Sequence, residues 1–217
     1  MEITAEKIMQ QLSAGTQVAG VIAVFGEEGY YKDKIAAALP RAVFGDAALE
    51  DREITVFERD TDIKEVSAAV NTYPFFSGRS LVIIKDEKLW GGKDGGEKRK
   101  QQQEELAELL ADVPEHCQVL LLGEKIDKRG KLYKSLLKTA AMVECKSLKS
   151  YQLKPWLDEQ AALRGCRFDY EASQTIMEYL SVTDNAPLLL LEQEIEKLSV
   201  YAGERKIWTK DDIEQTF

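Results

Sequence analysis

The chain has 217 residues, enough for one large domain or two small ones and for a core that needs no disulfides. It is 44% hydrophobic, 31% charged and 8% aromatic, which excludes collagen-like, mucin-like and largely disordered classes. Its net charge of −9 does not advertise nucleic-acid binding, although a local basic face remains compatible with it.

Thr4 is placed to cap a short amphipathic helix carrying Ile8, Met9 and Leu12, which Gly15 ends. Residues 18–25 are a compact apolar run closed by Gly26, the pattern of a buried strand. A helix follows through Tyr31, Ile35 and Leu39 and is expected to stop at Pro40. Residues 54–57 alternate and predict a second strand. Asp62 opens a helix through Ile63, Val66 and Val70 to Tyr73, which breaks at Pro74. Residues 81–84 predict a third, buried strand, and residues 91–96 a flexible glycine-rich loop. A helix with Leu106, Leu109 and Leu110 precedes a fourth strand at 119–122. A helix with Leu132, Leu136 and Leu137 precedes a fifth at 141–144.

Short apolar strands alternating with amphipathic helices predict a parallel sheet with helices on both faces. Beyond about Lys146 the period is helical throughout, over 153–163, 170–180 and 188–201, with no strand signal between. The expectation is an α/β domain over residues 1–147 and a small all-helical domain over 148–217. No apolar run approaches the roughly 20 residues that span a bilayer, and the N-terminus is acidic and mixed, unlike a secretory signal. A cytoplasmic protein without membrane contact is expected. The three cysteines, Cys117, Cys145 and Cys166, form no CxxC pair, which argues against zinc-ribbon and thioredoxin-type sites; no metal or cofactor is expected. The single histidine, His116, adjoins Cys117, but neighbours on a strand point to opposite faces, so a strand-entry pair is favoured over a catalytic one.

A strand ending in Gly26 and entering a helix is where a phosphate loop would sit. The template G-x-x-x-x-G-K-[ST], laid on Gly26, puts Lys32 in the lysine slot. Tyr31 occupies the second glycine slot and Asp33 the hydroxyl slot. Tyr31 would crowd the phosphate, and Glu27 and Glu28 would repel it from the helix N-terminus. Downstream, Asp86 and Glu87 imitate an acidic strand end, but Lys85 shifts them by one position and hence to the wrong faces. The placement suggests a nucleotide site and the residue chemistry opposes one.

Three stretches together resemble the delta subunit of the bacterial DNA polymerase III clamp loader. They are Val24-Phe25-Gly26-Glu27-Glu28 with Tyr31, Tyr73-Pro74-Phe75-Phe76-Ser77-Gly78-Arg79-Ser80-Leu81-Val82, and Leu191-Glu192-Gln193-Glu194-Ile195-Glu196-Lys197-Leu198. The resemblance implies an AAA+-like parallel sheet domain flanked by helices, then a helical lid, and no working nucleotide site. It implies a non-catalytic subunit that binds the sliding clamp (the beta subunit) and opens its ring during replication. Other loader subunits, gamma/tau and delta prime, would be partners, with DNA inside the assembled complex. Family members continue into a third, helical collar domain, which this chain is expected to lack.

In that family a pair of bulky apolar residues before the third strand grips the clamp. Here the position is Phe75-Phe76, flanked by Tyr73, Pro74 and Ser77. Two adjacent rings after a helix-breaking proline do not readily face one core stripe, which suits an exposed anchor. The alternative is that both rings pack beneath the loop ending at Gly78.

A basic run holds Lys125, Lys128, Arg129 and Lys131, with Lys134 and Lys138 beyond it. Lys128, Arg129 and Lys131 are candidate DNA contacts, against the plainer reading of a solvated helix face. The weaker Lys98-Arg99-Lys100 cluster is set beside them. In the lid, Asp184-Asn185-Ala186-Pro187-Leu188 holds no sensing arginine, and Pro187 suits a first helical turn before an apolar face at 188–191. Two other classes stay open on the residues: an active ATPase with an atypical loop, and a degenerate AAA+ adaptor unrelated to replication.

Overall fold

A computed structural model describes residues 1–16, 18–85, 96–181 and 187–217. The expected loop at 91–96 and the acidic pair Asp86 and Glu87 fall wholly or largely outside these, as do Asp184, Asn185 and Ala186. The chain divides into two units, Met1–Cys145 and Lys146–Phe217.

In the first unit, α1 (Ala5–Ser13) begins where Thr4 Oγ1 accepts from the Lys7 amide. Strand β1 (Val21–Phe25) starts three residues later than the apolar run suggests and leads into α2 (Gly29–Phe44). Then come β2 (Glu53–Phe57), α3 (Ile63–Asn71), β3 (Ser80–Ile84) and α4 (Glu97–Leu109). Strand β4 (Cys117–Gly123), α5 (Lys131–Thr139) and β5 (Ala140–Glu144) complete the unit. The five strands are all parallel in the order β2-β3-β4-β1-β5. Strands β1 and β3 are buried at every residue, which is why they read as unbroken apolar runs; edge strand β2 is exposed at Ile54, Thr55 and Val56.

Val21, Ala23 and Phe25 of β1 share one core with Val82, Ile84, Val119, Leu121 and Met142. Helices α3, α4 and α5 close this face through Val66, Leu106 and Leu136. The alternate residues, including Ile22, Val24, Leu81 and Leu120, are also buried and point to the opposite face, where α2 lies against β3 and β4 and α1 packs on α2.

Pro40 does not end α2. The stripe Ile35, Leu39 and Val43 continues through it and is buried, so packing on both sides of the proline outweighs the roughly 3 kcal/mol that a mid-helix proline costs. Pro74 does mark an end: α3 stops at Asn71, with Thr72 as its cap, and Tyr73 lies outside it.

The second unit contains α6 (Ser150–Leu163), β6 (Arg167–Phe168), α7 (Tyr170–Ser181), α8 (Leu188–Ala202), β7 (Ile207–Trp208) and α9 (Lys210–Thr216). It is therefore not all-helical. Arg167 pairs with Ile207 and Phe168 with Trp208, and the last two rings meet edge-on at 5.1 Å. Two-residue strands are too short for any alternation to be read from sequence. Pro187 caps α8 rather than entering it. Of the four leucines that follow, Leu188 and Leu191 are buried and Leu189 and Leu190 exposed, because four consecutive helical residues spread over most of a turn. Among the described residues no helix is long and apolar enough to cross a membrane.

Candidate functional site

The junction of β1 and α2 has the outline of a phosphate loop and is filled by the chain itself. Gly26 lies at φ 131°, and a Cβ there would fall 1.9 Å from the Cys145 carbonyl oxygen. The end of β1 is thus pressed against the end of β5, with Cys145 N donating to Phe25 O at 2.7 Å and Glu28 N to Cys145 O at 3.1 Å. Glu28 is buried and caps α2, its carboxylate accepting from the Tyr30 amide at 2.9 Å. An anion of the protein's own therefore sits at the helix N-terminus, where a phosphate would be attracted.

The Lys32 ammonium donates to the Gly26 carbonyl at 2.8 Å. Tyr31 is buried, edge-on to Tyr30 at 5.1 Å, while Glu27 and Asp33 face solvent. Burial pushes the Cys145 thiol up to about 12, against the lowering effect of Lys32. Of the five residues singled out around this loop, Glu28 and Lys32 bond into a closed joint beside the buried Tyr31, whereas Glu27 and Asp33 stand outside it.

The second feature is the turn between α3 and β3. Pro74 is buried at its base, whereas Phe75 is 87% exposed and Phe76 67% exposed, with ring centroids 5.1 Å apart and edge to face. Packing beneath the loop is not the arrangement the rings adopt. Tyr73 is exposed as well and meets His116 edge-on at 5.1 Å. Ser77 Oγ donates to the Arg79 carbonyl at 2.7 Å, and Gly78 turns the chain back at φ 66°. Ser80 N then joins His116 O at 2.8 Å, tying β3 to the entry of β4.

Two residues of this turn's surroundings escape sequence reasoning. Glu53, at the start of β2, accepts through Oε1 from the amides of both Phe75 and Phe76, the latter at 3.0 Å. His116, just before β4, meets the Tyr73 ring edge-on. No signal marks either beforehand, because Glu53 is 22 residues from Phe75 in sequence and a lone glutamate opening a strand is unremarkable.

Each of the three candidate DNA contacts already has a carboxylate partner. Lys128 Nζ lies 2.8 and 2.9 Å from the two oxygens of Glu144 and 5.7 Å from the Phe25 ring centroid. Arg129 Nε is 3.8 Å from Asp127, and Lys131 Nζ 2.7 Å from Glu104, a hydrogen bond that pushes the lysine pKa up.

Comparison with known proteins adds to this geometry. The family profile described as DNA polymerase III, delta subunit, matches residues 25–146. A Bacillus subtilis (strain 168) protein, DNA polymerase III subunit delta, is 28% identical over 200 residues, 91% of this chain and 56% of that protein. The solved structure of the Bacillus subtilis DNA clamp loader delta protein (YqeN) is 26% identical with a TM-score of 0.74, over 97% of this chain and 61% of that one. A structure of the Escherichia coli MS115-1 HORMA:CdnC:Trip13 complex shares the fold at 14% identity and a TM-score of 0.57, over 91% of this chain and 73% of that one. This chain spans little more than half the length of the delta relatives it matches. With more than half of its own residues inside the family profile, the chain belongs to the DNA polymerase III delta subunit family.

Proposed function

We propose that this chain is a non-catalytic part of a DNA polymerase III clamp loader, which binds the sliding clamp through the Phe75–Phe76 tip and helps to open its ring. The observation that carries this reading is the tip itself: two adjacent rings held in solvent on a turn anchored by a buried proline. Leaving two phenylalanines in water forgoes roughly 1.5–3 kcal/mol of burial each, so their display favours a partner that covers them. Aromatic side chains entering an apolar pocket are the usual dominant contacts of an interface. Tyr73, Pro74 and Ser77 shape the turn beneath them.

The closed β1–α2 joint supports the non-catalytic half of the reading, with nucleotide hydrolysis assigned to other loader subunits. Those subunits, gamma/tau and delta prime, are the further partners in this reading, and the cytoplasm its setting.

A calorimetric titration with the sliding clamp of the same source tests it. Phe75→Ala with Phe76→Ala is expected to remove measurable binding while the circular dichroism spectrum and melting midpoint stay those of the parent. Unchanged affinity in the double variant would overturn the reading.

A further inference from the structure

We propose that Glu53 is a positioning residue for the clamp-binding tip, holding Phe75 and Phe76 in the projected arrangement before the partner arrives. The inference rests on the reading of that tip as the clamp anchor. Pro74 offers no N–H, so the amides of Phe75 and Phe76 are the first two backbone donors that follow it. Both converge on one oxygen, Oε1 of Glu53. A carboxylate is suited to this task because it accepts two amides at once and gives charge-assisted bonds, about twice as strong as neutral ones.

The placement follows from the sheet. Glu53 opens β2 and is in register with Ser80, which opens β3 directly after the turn. A side chain from the neighbouring strand thus reaches the turn from a frame fixed by the parallel ladder. On the other side, Tyr73 rests edge-on against His116 at the entry of β4. The tip is bracketed from β2 and from β4, with Pro74 buried between.

Without the Glu53 bracket, residues 75–76 would sample many conformations, and binding would have to order them at a cost in backbone entropy. Pre-ordering removes that cost from the binding step. It leaves the fold unaffected, because the bracketed segment projects from the core.

The test compares the 217-residue parent with Glu53→Ala, Glu53→Gln and the double phenylalanine variant. Glu53→Ala is expected to bind the clamp about tenfold more weakly, consistent with the loss of hydrogen bonds to a charged group at a partly exposed site. Glu53→Gln keeps an acceptor oxygen at the same reach and should restore most of the affinity. In the free chain, hydrogen exchange of the Phe75 and Phe76 amides should quicken in Glu53→Ala while the β3 amides keep their protection; a general loss of stability would quicken both.

If the double phenylalanine variant loses the clamp and Glu53→Ala binds like the parent, positioning is overturned and the clamp reading stands. If the double variant binds like the parent, the clamp reading falls and this inference with it. Unprotected Phe75 and Phe76 amides in the parent would overturn the inference whatever the clamp does.

Discussion

Lys32 Nζ donates to the carbonyl oxygen of Gly26 at 2.8 Å, so the ammonium a phosphate loop would offer to a nucleotide is bound to the loop's own backbone. Opening the joint would mean breaking this bond, releasing the Glu28 cap and separating the ends of β1 and β5.

The chain is therefore expected to show no saturable binding of ATP with Mg²⁺ in calorimetry at millimolar nucleotide. Lys32→Ala should act on stability instead, lowering the melting midpoint by about 2–4 °C for the loss of one hydrogen bond of about 1 kcal/mol. Mg²⁺-dependent binding that Lys32→Ala abolishes would restore the ATPase alternative.

The paired cations set a second expectation. Exposed ion pairs contribute little to stability, but a cation with a carboxylate at 2.7–2.9 Å must leave it to neutralise a phosphate. Replacing Lys128, Arg129 and Lys131 by alanine should change the affinity for primed DNA less than about twofold, and the slope of log affinity against log salt by less than about one contact. A drop of about two units in that slope would make these residues genuine phosphate contacts.

A third concerns the acid stability of the second unit. Asp212 is buried and bound by Arg205 Nη1, with Oδ1 at 2.7 Å, and by Thr209, whose amide and hydroxyl reach Oδ2 at 2.9 and 3.0 Å. Burial opposes its ionisation, yet the bonds from Thr209 and Arg205 together hold its pKa below the ordinary 3.8. The folded value lies under the unfolded one, so the stabilisation is complete above pH 3.8 and is lost as pH falls through the lower, folded value. Thermal melts should show Asp212→Asn less stable than the parent at pH 7, with a deficit that shrinks as pH falls below 3.8. A deficit that stays constant through that range would exclude the carboxylate's charge as the cause.

Much of the fold was legible because its signals are local. Thr4 and Asp62 cap helices in place, and the buried strands announce themselves as apolar runs. The errors have equally specific causes. Pro40 was expected to end α2, but buried Val43 and Phe44 beyond it hold the helix on. The pair β6 and β7 is too short for a periodic signal and forms only because residues some 40 positions apart meet.

The functional residues divide in the same way. Residue types alone determined that the β1–α2 junction lacks a second glycine and a hydroxyl, and that two adjacent phenylalanines follow a helix-breaking proline. Only the tertiary structure decided that Glu28 and Lys32 fill that junction from within, that both rings stand in solvent, and that Glu53 and His116 flank their turn. The reason is distance along the chain. Caps, breaks and apolar periods involve neighbours within a few residues, whereas the register of a parallel sheet brings Glu53 beside Ser80 and the turn before it, and no local pattern encodes that meeting.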